Sequence, residues 1–68
     1  MNKYSVEHEG HIYTRNTKRT YTHVVLVEGS TKKTDGTWAG SAELARKAAA
    51  ALRRYTGDKK ITIVEIPA

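Results

Sequence analysis

The stretch Ser41-Ala42-Glu43-Leu44-Ala45-Arg46-Lys47-Ala48-Ala49-Ala50-Ala51-Leu52-Arg53-Arg54-Tyr55-Thr56-Gly57 carries the marks of both ends of a helix. Ser41 is an N-cap, since its hydroxyl can accept from a backbone N–H of the first turn, and Glu43 places a carboxylate where the helix dipole favours one. Gly57 is the stop, so the reading predicts a helix from Ala42 to about Tyr55. Leu44, Ala45, Ala48, Ala49, Leu52 and Tyr55 recur at helical spacing and form its apolar stripe, with small side chains in the middle that allow close approach to a sheet. Glu43, Arg46, Lys47, Arg53 and Arg54 face away.

Working outward, His23-Val24-Val25-Leu26-Val27 is a β-branched run of strand length, and its continuous apolarity from Val24 onward suggests an interior strand covered at least partly on both faces. Lys60-Ile61-Thr62-Ile63-Val64-Glu65-Ile66 is a second such run, ended by Pro67, and is expected beside the first. Toward the N-terminus, Lys3 to Arg15 alternates around Glu9-Gly10, a two-residue hairpin turn. His8 then faces His11, Val6 faces Tyr13 and Tyr4 faces Arg15, all on one surface of the ribbon, with Ser5, Glu7, Ile12 and Thr14 on the other. Asn16 to Thr20 is a polar connection, and Ser30 to Gly36 is a second one that runs on through Trp38 and Gly40 into the helix.

A loop and a helix between two neighbouring strands make a right-handed parallel crossover the expected connection. The resulting architecture is α+β in the order βββαβ: a single small domain over residues 1–68, with a four-stranded mixed sheet and one helix packed on one face. One helix covers one face only, so the opposite face is expected to be solvated, shielded by a long loop or used against another molecule.

The 68 residues include 12 Lys and Arg against 7 Asp and Glu, a formal charge of +5, and no cysteine. Such a chain buries too little surface to enclose a large substrate chamber. Thiolate metal sites, disulfides and thiol nucleophiles are excluded. The longest apolar run, Ala48 to Leu52, is far shorter than a bilayer requires, and the N-terminus lacks a stretch of signal-peptide length, so a cytoplasmic protein without membrane insertion is expected. No nucleophile–base pair, paired carboxylates or phosphate-binding glycine loop can be placed, and Asp35 and Asp58 are explained by turn chemistry, so the expectation is no enzyme and no cofactor. His8, His11 and His23 do not make a metal site: a zinc centre needs three or four ligands, and Glu7 and Glu9 alternate away from the histidine surface.

The basic balance points to a polyanionic partner. Arg15, Lys18 and Arg19 lie in the first connection, Lys32 and Lys33 in the second, and Arg46, Lys47, Arg53, Arg54, Lys59 and Lys60 on and after the helix. Nucleic-acid binding needs cations that converge on phosphates. The plain alternative for the helix cations is a solvated face, with Lys47 paired to Glu43 and Arg53 and Arg54 at the C-terminal end of the dipole. Among the aromatic residues, Tyr55 and Trp38 are expected in or at the edge of the core, whereas Tyr13 and Tyr21 flank the basic connection and are the candidates for a surface role.

Ile12-Tyr13-Thr14-Arg15, Arg19-Thr20-Tyr21-Thr22-His23-Val24-Val25 and Trp38-Ala39-Gly40-Ser41 together resemble small accessory proteins of bacteriophages and other mobile elements. The resemblance implies a stoichiometric blocker of host machinery, of the anti-CRISPR kind, or a binder of DNA. Trp38-Ala39-Gly40 before Ser41-Ala42-Glu43-Leu44-Ala45 is also similar to the strand-to-helix passage of the AP2-type DNA-binding domain, in which a three-stranded sheet reads DNA. The expected function is thus a non-catalytic basic module that contacts nucleic acid through a sheet edge and loops, with Tyr13, Arg15, Lys18, Arg19, Tyr21, Lys32 and Lys33 as its surface. The alternative uses that surface against an acidic patch of a host protein or nucleoprotein complex, with Tyr13 and Tyr21 as anchors. A third expectation is that the open sheet face pairs two copies into a homodimer.

Overall fold

The computed structural model describes residues 2–29 and 36–67. In chain order the elements are β1 (Asn2–His8), β2 (His11–Thr17), β3 (His23–Val27), β4 (Thr37–Ala39), α1 (Ala42–Thr56) and β5 (Ile61–Glu65). The α+β class and the helix packed on one face of a sheet are as the sequence indicates. The strands are grouped differently: β1 and β2 form a two-stranded sheet of their own, and β4-β3-β5 form a second sheet in which both pairings are antiparallel.

The hairpin keeps the register read from its alternation, with Tyr4 opposite Arg15, Val6 opposite Tyr13 and His8 opposite His11. Its turn takes φ of 51° at Glu9 and 80° at Gly10. Positive φ at both central residues matches the right-handed twist of the strands, which glycine accepts freely and glutamate only at a cost.

The antiparallel setting of β5 corrects the expected parallel crossover, and β4 is the reason. Thr37-Trp38-Ala39 turns the chain back along β3, with Ala39 opposite His23, so the helix starts beside the beginning of β3. It runs to the other end, and β5 then returns with Ile61 opposite Val27 and Glu65 opposite His23. One extra reversal flips the direction of the last strand. Gly36 admits the approach: a Cβ there would lie 2.7 Å from Val24 Cγ2, too close for any side chain unless the buried Val24 side chain shifts.

α1 begins as expected, with Ser41 Oγ accepting from the Leu44 N–H at 3.2 Å, and ends at Gly57 with φ of 63°. Its middle is the part that packs. Ala45 and Ala49 are buried against Val25 and Ala39, with Ala48, Leu52 and Ile61 packed around them. Leu44 and Tyr55 are corrections: they are 52% and 86% exposed, because the narrow sheet extends under only the alanine part of the stripe.

The opposite face of the sheet is not open. Val6 and Tyr13 from the hairpin form one buried cluster with Val24 and Leu26, and Trp38, Val64 and Ile66 pack against it. The hairpin therefore covers the face that the helix leaves bare, and β3 is buried between two layers. This overturns the expectation of a free sheet face, and with it a homodimer formed through that face. Alternation within β3 directs the two sets: Val24 and Leu26 point to the hairpin, Val25 to the helix. No helix among the described residues is long and apolar enough to cross a membrane.

Candidate functional site

The polar connection between β2 and β3 lies across the end of the sandwich, where it is tied to β1. Tyr4 OH accepts from the Tyr21 N–H at 2.9 Å and donates to the Arg19 carbonyl at 3.2 Å. Asn2 Nδ2 donates to the same carbonyl at 3.1 Å, and the Arg19 N–H donates to Thr17 Oγ1 at 3.1 Å. These bonds consume backbone groups of the connection and leave the side chains of Lys18 and Arg19 exposed. A segment that sequence patterning reads as plain loop is thereby given a defined course.

Beneath it sits an aromatic cluster. The rings of Tyr4, Tyr21 and Trp38 stand 5.8, 6.1 and 6.3 Å apart between centroids, tilted by 33° to 59°. All three are half-buried, so each retains accessible surface. The Arg15 guanidinium carbon lies 5.9 Å from the Tyr21 ring centre, within range of a cation–π contact. A shallow hollow of about 270 Å³ opens beside the cluster, lined by Thr14, Arg15, Asn16 and Trp38. A wider groove on the β1 side is lined in part by Lys3, Tyr4, Tyr21 and Glu65.

Of the residues expected at the surface, Arg15, Lys18, Arg19 and Tyr21 come together at this corner. Tyr13 does not: it is 2% exposed, in the core between the two sheets. The cause is that Tyr13 shares the inward side of the ribbon with Val6, and the bare sheet face needs a large ring to cover it. Lys32 and Lys33 lie outside the described residues. The helix cations stay apart on the outer layer, where Lys47 Nζ is 3.7 Å from Glu43 Oε1 as an exposed i,i+4 pair.

Tyr4, Trp38 and Lys3 are the members that sequence reasoning missed. A signal for Tyr4 existed, since its pairing with Arg15 puts it near the residues that follow β2. Trp38 seals the edge of the core on one side, and its other side faces the hollow.

Charges of both signs lie at each end of the sandwich. Lys3, Arg15, Lys18, Arg19 and Glu65 lie toward the end with the β2–β3 connection, and Glu7, Glu9, Glu28, Asp58, Lys59 and Lys60 lie in or next to the turns at the other end. At that far end a cleft of about 310 Å³ is bordered by His8, Glu9, His11, Glu28 and Lys60. His8 Nε2 is 3.9 Å from Glu9 Oε1, and Glu28 Oε2 accepts from the Lys60 N–H at 3.2 Å. Among the described residues no three or more His, Asp or Glu side chains come together in a way that could hold a metal ion.

No family model, curated protein or solved structure matches this chain. The chemistry of the corner must therefore stand on its own residues.

Proposed function

We propose that this chain is a non-catalytic nucleic-acid-binding module that takes a single-stranded segment at the corner built by Arg15, Lys18, Arg19, Tyr21 and Trp38. The observation that carries the reading is the joining of half-exposed rings and exposed cations at one corner, with Arg15 at 5.9 Å over the Tyr21 ring. Rings offer a π-face to any base, and cations beside them meet the phosphates that flank it. A single strand is favoured over a duplex because the rings are half-buried, with Trp38 lining the hollow and Tyr21 the groove on the β1 side. Bases reach them only when unpaired. In this reading the module acts in the cytoplasm and belongs with the accessory proteins of mobile elements that its sequence resembles.

Trp38, the only tryptophan in the chain, reports on the site directly. Titration with a short labelled oligonucleotide at low salt is expected to quench its fluorescence. With Lys3, Arg15, Lys18 and Arg19 meeting phosphates, the slope of log K against log salt is about −2 to −3. Charge reversal at Lys18 and Arg19 flattens that slope by about one for each lost contact. Absence of binding to both single and double strands at low salt overturns the proposal. Nuclease-resistant capture of an acidic protein instead assigns the corner to a protein partner.

A further inference from the structure

β5 is an edge strand whose outer side is paired with nothing among the described residues. Which of its groups point outward follows from its bonds to β3. The Glu28 N–H donates to the Lys60 carbonyl and the Ile66 N–H to the Thr22 carbonyl, each at 2.8 Å, with Val24 opposite Val64 and Leu26 opposite Thr62 between them. In an antiparallel ladder a residue directs both its N–H and its C=O to the same neighbour, and the next residue directs both away. Lys60, Thr62, Val64 and Ile66 therefore serve β3. Ile61, Ile63 and Glu65 present their backbone groups to the outside, evenly disposed about Ile63.

Edge strands are commonly protected by a proline, a bulge or a lysine within the strand. Residues 61–65 contain no proline, glycine or lysine, and Ile63 is a large apolar side chain left 38% exposed on the helix side. Charge flanks the strand asymmetrically, with Lys59 and Lys60 before it and Glu65 at its end.

We infer that a second copy of this chain occupies this edge, the two β5 strands pairing antiparallel about a two-fold axis at Ile63. A two-fold perpendicular to the sheet keeps side chains on their own face, so only same-parity residues can be opposed. Ile63 then meets Ile63 of the second copy, and Ile61 meets its Glu65. All three outward residues exchange hydrogen bonds in that register. Glu65 of each copy comes toward Lys59 at the start of the other copy's strand, so the pairing is complementary in charge at both ends. The product is a continuous sheet in the order β4-β3-β5-β5-β3-β4, with both helices on one face and both hairpins on the other. Edge pairing of five residues buries less than the ~1,000 Å² typical of a stable interface, so the dimer is weak and exchanges rapidly.

Sedimentation equilibrium on the full chain, from about 10 µM to about 1 mM, tests this. The expected average mass rises from 7.6 kDa toward twice that value. Ile63→Pro removes an N–H that bonds nothing within the described chain, at an edge position where proline is tolerated. It is expected to leave the circular dichroism spectrum intact and weaken self-association at least about tenfold. Glu65→Lys should weaken it about fivefold, with most of the loss recovered when Lys59→Glu is added. If Ile63→Pro fails to fold, the charge-swap pair decides. Ile12→Lys, on the outer hairpin surface, should change nothing. A monomer over the whole range, or a dimer indifferent to both Ile63→Pro and Glu65→Lys, overturns the inference.

Discussion

The two faces of β3 are solved by opposite means. On the helix side the contacts are methyl groups, with Ala39, Ala45 and Ala49 closing on Val25. On the hairpin side they are large, with Tyr13, Val6 and Leu26 around Val24 and Trp38 packed against them. A helix with a stripe of alanines can lie close to a sheet, and its own hydrogen bonds are already satisfied. A two-stranded ribbon has no such internal support and is marginal alone, so it needs large side chains to hold it. One side is close packing of small groups, the other the burial of one large ring.

The largest expected effect comes from breaking the hairpin side. Tyr13→Ala removes its central ring and should cost about 3–5 kcal/mol. The total for a domain of this length is about 3–10 kcal/mol. The variant is therefore expected to be unfolded or barely folded near body temperature, as seen in a thermal melt. If the hairpin were only draped on the sheet, the melt would shift by a few degrees at most.

The helix side fails in the other direction. Ala49→Leu adds bulk where methyl groups set the spacing, and overpacking of this kind costs about 1–3 kcal/mol. Its expected mark is a lower midpoint in urea with unchanged helical circular dichroism. A neutral result would mean the helix is free to lift, and that the small residues do not set its distance.

Much of this contrast is legible in the residues alone. Ser41 and Gly57 mark the helix because capping is a local matter, and the Glu9-Gly10 turn sets the hairpin register because alternation fixes every pair once the turn is placed. Two things were not legible. β4 is three residues between glycines, too short to show alternation, and its reversal of the chain sets the direction of β5. Tyr13 was correctly placed on the same surface as Val6, but which molecule that surface meets is a tertiary matter. The helix stripe includes Leu44 and Tyr55 by period, yet the sheet beneath is too narrow to cover them. For the corner, the cations were visible as a cluster in sequence, whereas Tyr4 and Trp38 join it only through folding.

A smaller effect sharpens the comparison at the hairpin turn. Glu9 holds φ of 51° without the help of an asparagine side chain or a glycine backbone. Glu9→Asn is expected to stabilise the protein by about 0.5–1 kcal/mol, read as a higher thermal midpoint. Destabilisation would show that Glu9 is held by a contact worth more than its backbone cost.

Under the proposed function recognition falls to the end of the sandwich, since both sides of β3 are covered. Backbone amide shifts of the isotope-labelled chain, followed while a short single-stranded oligonucleotide is added at low salt, address this most directly. The account predicts that the changes concentrate at Arg15, Lys18, Arg19, Tyr21 and Trp38, with the amides of α1 unmoved. Shifts centred on Arg46, Lys47, Arg53 and Arg54, or none at all, would contradict it.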